Sequence, residues 1–234
     1  MNLAFQIAGY VIGLPLQLMV IQAMLREAWR TYPFLFLYVL ADFITTIIKI
    51  QPGLAYDTGT AAARKRWAQI YWVDERIIGV LLFLLVLSLV YRATEDRAPK
   101  RTILLILIAA TVAIVGVSFA VHYDSTLLTG KWMTPWLRDV NFCAAILDLG
   151  LWAMLIGSPK RDYRLLMISG ALGIQFTAGA IGQALREISH SLTSVTAVFI
   201  MAANIACTYI FWQTFRLHRA KPRPTAPRKA RNTA

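Results

Sequence analysis

Seven long apolar stretches, separated by short charged segments, constrain the fold of this 234-residue chain more than any other feature. The hydrocarbon core of a bilayer is about 30 Å thick, and a helix needs about 20 apolar residues to cross it. Because lipid offers the backbone no hydrogen-bond partners, we expect each stretch to form a helix. The stretches cover residues 3–25, 33–50, 70–91, 102–121, 139–157, 165–185 and 194–215.

The composition is that of a polytopic membrane protein. Hydrophobic residues make up 58% of the chain and charged residues 15%, whereas soluble domains contain about 45–50% and about 25%. Helices with short connections use nearly the whole length, so no soluble catalytic or DNA-binding domain is expected. The sequence predicts an all-α bundle of seven transmembrane helices over residues 1–216 and a disordered basic tail over residues 217–234.

The distribution of charge predicts the orientation in the membrane. Residues 1–23 contain no Lys or Arg, unlike the basic start of a signal peptide, so we expect the first helix to be retained. Of the 24 Lys and Arg, 16 lie with only four acidic residues in segments 26–32, 92–101 and 160–164 and after Phe215. The positive-inside rule places these segments in the cytoplasm and the N-terminus outside. We expect a multi-pass protein of the bacterial inner membrane.

The basic tail and the bilayer define the expected partners. A basic residue near an anionic lipid surface contributes about 1 kcal/mol of attraction. We therefore expect the lipid bilayer as partner, anionic lipid at the tail and a membrane protein partner, but no nucleic acid. A tail that only determines topology is an equal alternative. The tail residues expected to contact lipid are Lys221, Arg223, Arg228, Lys229 and Arg231.

Polar residues inside the apolar stretches indicate where a ligand site would lie, because ionisable groups are costly in lipid. Asp42 lies well inside the second helix, and Asp148 lies near the middle of the fifth. Lys49 is close enough to the outer end of its helix to extend to the interface. We expect an outward-facing polar cavity for a small ligand or ion. The candidate ligand-binding residues are Asp42, Lys49, Glu75, Arg76, Arg138, Asp148 and Gln183.

An alternative interpretation of these residues is structural. Polar contacts between membrane helices average about 0.6 kcal/mol, so the same side chains can pair between helices and only fix the bundle. The charges outside the cytoplasmic segments cancel, with eight acids and eight bases, which favours pairing. The stripe of Ser169, Gly173 and Thr177 on the sixth helix is small enough to let another helix approach closely.

Motifs of known chemistry are missing from the sequence. The seventh stretch holds no Lys for a retinal Schiff base, and the three histidines lie at helix ends or in loops, where they do not suit haem. Cys143 and Cys207 have no metal-binding spacing and form no disulfide framework. We therefore predict no catalytic residue, no metal, no cofactor and no enzymatic activity.

The third helix begins with Tyr71-Trp72-Val73-Asp74-Glu75. In this Tyr-Trp-x-x-Glu start and in its hydrophobic layout, the chain resembles bacterial seven-transmembrane-helix proteins that have no assigned activity. The resemblance implies the bundle and transfers no function.

Two classes of function remain after these exclusions. The first is a non-enzymatic sensor, a receptor-like protein or an accessory subunit. The alternative is a small-solute or proton transporter or channel that uses Asp42 and Asp148. A transporter needs a continuous polar path between both faces of the membrane, but residues 77–91 and 102–121 carry no charge. The sequence therefore favours the first class.

Overall fold

The computed structural model describes residues 3–56, 61–94, 100–122, 133–157, 162–188 and 193–216. The regular structure within these ranges is helical throughout, so the all-α prediction is confirmed. The helices are α1 Leu3–Glu27, α2 Pro33–Tyr56, α3 Ala61–Thr94, α4 Lys100–His122, α5 Met133–Ile156, α6 Tyr163–Ile188 and α7 Thr193–Arg216.

Helices α2 and α3 extend well beyond their apolar stretches. α2 continues past residue 50 to Tyr56, and α3 begins at Ala61 instead of residue 70. The first turns of α3 are rich in Ala, Arg and Lys, which are good helix formers. Hydropathy marks only the part of a helix that suits lipid, whereas the backbone stays helical beyond it. Thr60, a possible cap of α3 by sequence, lies outside the described residues.

The start of α5 also differs from the sequence prediction. Thr134 and Pro135 suggest a hydroxyl cap followed by proline at the first helical position. The helix instead begins at Met133, so both residues lie in its first turn. Proline is tolerated there because the first N–H groups of a helix have no partner within the helix.

Six helices are long and apolar enough to cross a membrane, which supports the membrane and transmembrane assignments. The searched region comprises the described residues only, and α4 is not among the six. The spans are Ile7–Arg26, Pro33–Gln51, Arg76–Thr94, Asp139–Ile156, Tyr163–Ile181 and Val195–Arg216.

The same six helices form a closed ring, with α4 outside it. Going around the ring, α1 contacts α2, α2 contacts α3, α3 contacts α5, α5 contacts α6, α6 contacts α7, and α7 returns to α1. α4 packs on the outer surface of α5 and, to a lesser extent, α3. The chain reverses between α1 and α2 in a tight turn in which the Tyr32 amide donates to the Ala28 carbonyl over 2.8 Å. We call the end of the bundle that carries this turn the turn end.

The large buried apolar side chains concentrate in the half of the ring next to the turn end, which we call the apolar half. In the other half, the described buried apolar residues are fewer and smaller, such as Ala178 and Ala203. The interior is thus divided along the bundle axis into a packed half and a half with room for polar groups. The fully buried side chains of the apolar half include Met24, Leu35, Leu85, Leu89, Ile168 and Phe211.

Arg92 of α3 links α3 to the turn between α1 and α2 at the turn end. Its Nη1 donates to the Thr31 carbonyl over 2.8 Å, and its guanidinium lies 4.6 Å from the centre of the Tyr32 ring. Tyr32 also meets the ring of Phe215 edge-on at 6.1 Å. Burial, together with the negative charge of Asp162, raises the pKa of Tyr32 above its ordinary 10.0. The phenol therefore stays neutral, and α1, α2, α3 and α7 meet around it.

We expect Arg92→Ala to destabilise the protein by about 1–3 kcal/mol, because it removes a charged hydrogen bond and a cation–π contact. Arg30→Ala is the matched control, since Arg30 stacks at 5.1 Å on Trp29, which is exposed. Its expected cost is about 0.5–1 kcal/mol at most. Equilibrium unfolding of both variants in mixed detergent micelles measures the difference. Equal costs for the two variants would contradict a stabilising role of the Arg92 contacts at the turn end.

Candidate functional site

A polar cavity of about 210 Å³ lies inside the ring, in the half away from the turn end. Helices α2, α3, α5, α6 and α7 all contribute to its lining. The lining residues are Tyr38, Asp42, Lys49, Asp74, Ile78, Gly79, Leu82, Asn141, Gln175, Asn204 and Thr208.

An ion pair between α2 and α3 crosses this cavity. Lys49 Nζ lies 2.5 Å from Asp74 Oδ2, and the two side chains are 20% and 11% exposed. The position of Lys49 in the sequence suggests that its side chain extends to the membrane interface. In the structure it turns inward to Asp74 instead. The inward conformation is favoured because a desolvated carboxylate needs a nearby cation.

Asp42 is held by α1. Gln17 Nε2 donates to Asp42 Oδ2 over 2.6 Å. Gln17 is buried, with 7% of its surface exposed, and its Oε1 atom has no hydrogen-bond partner. A neutral amide thus solvates this carboxyl, while the cationic Lys49 is committed to Asp74.

Gln175 links α6 to two other helices at the boundary with the apolar half. Its Nε2 donates to Tyr38 Oη over 2.7 Å, and its Oε1 accepts from Cys207 Sγ over 3.4 Å. Tyr38 and Cys207 are both buried. These contacts fix the orientation of the amide and form a polar floor, below which Leu85 and Phe211 close the interior.

Unpartnered acceptor atoms remain in the lining of the cavity. Asp74 uses Oδ2 for Lys49, but its Oδ1 is buried without a hydrogen-bond partner. The Oδ1 atom of Asn141 is likewise buried and unpartnered. A buried acceptor without a donor costs about 1–3 kcal/mol. The cavity can therefore satisfy a molecule that donates hydrogen bonds.

The structure places Asp148 outside the cavity that contains Asp42. Asp148 is 2% exposed and lies at the contact between α5 and α6. Ser169 Oγ donates to its Oδ1 over 2.8 Å, and Gly173 lies close enough that an added Cβ would be 3.6 Å from Oδ2. The small residues of α6 thus make room for this carboxyl, whereas Thr177 in the same stripe is exposed.

Among the remaining candidate residues, the structure describes only the side chain of Arg76. Arg76 is half-buried on α3 and does not line the cavity, and its Nε is buried without a partner. The side chains of Glu75, Arg138 and Gln183 lie outside the described part of the chain. Of the four predicted ligand-binding residues whose side chains the structure describes, Asp42 and Lys49 line the cavity.

Sequence reasoning missed Asp74 and Gln17 as members of this site. Asp74 shares the buried face of α3 with Leu82, Leu85 and Leu89, which lie eight, eleven and fifteen residues further along the helix. This periodicity indicates that Asp74 points into the ring. The signal is weak because α3 is apolar on all sides within the bilayer, so hydropathy does not mark the inward face.

A second polar cluster joins α4 to α5 away from the cavity. Ser118 Oγ donates to Asp139 Oδ2 over 2.9 Å, and His122 Nδ1 lies 2.9 Å from the Ser118 carbonyl and 3.6 Å from Asp139 Oδ2. A nucleophilic serine needs its hydroxyl bonded to a histidine nitrogen. Here the hydroxyl donates to the carboxylate instead, so the contact links α4 to α5.

Among the residues that the structure describes, no group of three His, Cys, Asp or Glu side chains is arranged to hold a metal ion. The described cysteines, Cys143 and Cys207, are free thiols. Comparison with protein-family models, curated proteins and solved structures finds no match to this chain.

We expect Ser169→Ala to cost about 1–3 kcal/mol of stability, because Asp148 then loses its donor in a buried site. The matched control is Ser88→Ala on α3, whose hydroxyl only donates to the Leu85 carbonyl of its own helix. Its cost should stay within about 0.5 kcal/mol. Unfolding in detergent micelles compares the two. A tolerated Ser169→Ala would contradict a structural role for the Asp148 contact.

Proposed function

We propose that this chain is a seven-span protein of the bacterial inner membrane that acts as a non-enzymatic sensor, receptor-like protein or accessory subunit. It binds a small ligand in the polar cavity around Asp42, Lys49 and Asp74. The N-terminus lies outside and the C-terminus in the cytoplasm, so the cavity lies in the outer half of the membrane and the turn end faces the cytoplasm. This orientation follows the positive-inside rule.

The observation that carries the proposal is the division of the ring interior into two halves. The polar cavity lies in one half, and the packed side chains of Leu85, Leu89, Ile168 and Phe211 fill the other. A cavity that ends on a packed apolar core suits a molecule that binds and leaves on the same side. Such a geometry favours sensing or ligand-dependent assembly over transport.

The exposed surface of α4 supports a seventh span. α4 is 23 residues long, which corresponds to about 34 Å at about 1.5 Å per residue. Its side chains Leu105, Val112, Val117 and Val121 are each more than 60% exposed. Apolar surface of this extent requires lipid or another protein to cover it.

The basic tail over residues 217–234 supplies a second contact with the membrane in this proposal. It lies outside the described residues, and its composition carries the argument. Seven spans with the N-terminus outside place the tail at the cytoplasmic leaflet, where Lys221, Arg223 and Arg228 attract anionic lipid. A membrane protein partner at the turn end would meet the same charges.

A proton-flux measurement separates this proposal from the transporter alternative. Full-length protein is reconstituted into liposomes that contain a pH-sensitive dye, and a potassium diffusion potential drives proton movement. We expect no flux above that of empty liposomes, and no change in the Asp42→Asn or Asp148→Asn variants. Flux that either variant abolishes would establish the transporter instead. Reporter fusions at both termini test the orientation.

A further inference from the structure

We infer that the occupant of the cavity is a small monovalent cation with N–H donors, such as ammonium or a short primary amine. This inference rests on the proposed function, because it names the ligand of the same site. The charge, the free hydrogen-bonding atoms and the size of the cavity all favour such an occupant.

The charge of the described lining favours a cation. Its ionisable groups include the carboxyls of Asp42 and Asp74 and the amine of Lys49. Lys49 pairs directly with Asp74 at 2.5 Å, whereas the carboxyl of Asp42 accepts its hydrogen bond from the neutral amide of Gln17, and the single Lys49 charge acts on both carboxyls. With both carboxylates ionised, one negative charge in this part of the lining has no counter-charge. Buried carboxylates are retained when they are paired with a cation, and a bound cation supplies that pairing.

The free hydrogen-bonding atoms favour a donor. Asp74 Oδ1 and Asn141 Oδ1 are buried and accept no hydrogen bond. Two of the donors that face the cavity are already used, since Lys49 Nζ donates to Asp74 and Gln175 Nε2 donates to Tyr38. Asp74 is at the same time 8% exposed, and both Asp74 and Asn141 line the cavity. An N–H cation satisfies both acceptors.

The size of the cavity limits the occupant. Its volume of about 210 Å³ is below the roughly 300–1,000 Å³ of pockets for drug-sized ligands. It is also several times the roughly 30 Å³ that one water occupies in the liquid. A short amine with accompanying water fits this space.

Charged thiol reagents test the inference, because their relative reaction rates depend on the charge of the cavity. Thr208, which lines the cavity, is replaced in the Thr208→Cys variant of a Cys143→Ala, Cys207→Ser background. The probes are trimethylammonium-ethyl and sulfonatoethyl methanethiosulfonate, applied from outside. Each rate is divided by the rate of the same reagent with a free thiol in solution. We expect the cationic reagent to be favoured at least about tenfold, which corresponds to about 1.4 kcal/mol.

Carboxylate variants show whether the cavity is the source of this preference. Asp42→Asn and Asp74→Asn should each reduce the rate ratio toward one. Asp148→Asn is the matched control, because Asp148 is also buried but lies outside the lining. A ratio that Asp148→Asn changes as much as the other two would overturn the assignment to the cavity.

A protection experiment identifies the type of cation. Methylammonium should slow the labelling of the Thr208→Cys variant, whereas sodium and potassium at the same ionic strength should not. Equal protection by sodium or potassium would overturn the requirement for N–H donors. Equal rates for both reagents, or a faster sulfonate, would overturn the cation and leave the proposed cavity intact. No reaction with either reagent would overturn both proposals.

Discussion

Lys49→Met is expected to destabilise the folded protein by about 3–5 kcal/mol, because removing one partner of a buried ion pair leaves the other charge unpaired. Lys49 Nζ lies 2.5 Å from Asp74 Oδ2, and both side chains are largely buried between α2 and α3. Equilibrium unfolding in mixed detergent micelles measures the loss. The expected cost is large because Asp74 has no other described cation within salt-bridge distance.

The double variant Lys49→Met with Asp74→Leu is the decisive control for this effect. Replacing a whole buried ion pair with apolar residues is often neutral or stabilising. We therefore expect the double variant to recover most of the stability that Lys49→Met loses. If Lys49→Met alone unfolds like the wild-type protein, Lys49 and Asp74 do not form a buried ion pair. That result would contradict the polar cavity described above.

Phe211→Ala is expected to cost about 3–5 kcal/mol, which is the usual range for removing a fully buried aromatic side chain. Phe211 is 1% exposed and lies among the packed residues of the apolar half. Association of helices in lipid depends on close packing, since lipid tails are as apolar as the side chains. Truncating Phe211 leaves a void inside the bundle, and lipid cannot replace the lost packing there.

Phe199→Ala on the same helix is the matched control. Phe199 is 44% exposed on the outer surface of α7, where lipid fills the space that the truncation leaves. Its expected cost is within about 0.5 kcal/mol. Unfolding of both variants under the same conditions measures the difference. Similar costs at the two positions would mean that the apolar half is not closely packed, and a closed cavity floor would then be untenable.

Hydropathy and helical periodicity predict the polar face of α2 well. Asp42 and Lys49 are seven residues apart on one face of α2, and both line the cavity. The signal is clear because these are the only charged residues between Pro33 and Tyr56. A charge in an otherwise apolar helix must face the protein interior or water, which fixes the rotation of the helix.

The partners of these residues are not predictable in the same way. Asp42 meets Gln17 of α1, and Lys49 meets Asp74 of α3. Each pair joins different helices, so its formation depends on the rotation and depth of both. Helical periodicity gives the inward face of α2, but α3 carries Asp74, Glu75 and Arg76 in succession, on different sides of the helix, so its sequence gives little information on its rotation.

The position of Asp148 relative to the cavity is also not predictable from its spacing along α5. It shares a face of α5 with Asn141, which lines the cavity, yet Asp148 itself contacts Ser169. The two residues are two helical turns apart, so they point the same way at different depths. Spacing in the sequence gives direction around a helix, whereas the depth at which the cavity ends depends on the packing of all six ring helices.

Two-sided thiol labelling on α5 tests the central claim most directly, because α5 crosses both halves of the ring. The Asn141→Cys and Leu151→Cys variants, each in a background without Cys143 and Cys207, are exposed to a membrane-impermeant maleimide from either side of sealed vesicles. We predict that the Asn141→Cys variant reacts only from the side of the N-terminus and that the Leu151→Cys variant reacts from neither. Reaction of the Leu151→Cys variant from either side, or of the Asn141→Cys variant from both, would contradict a polar cavity closed by an apolar half.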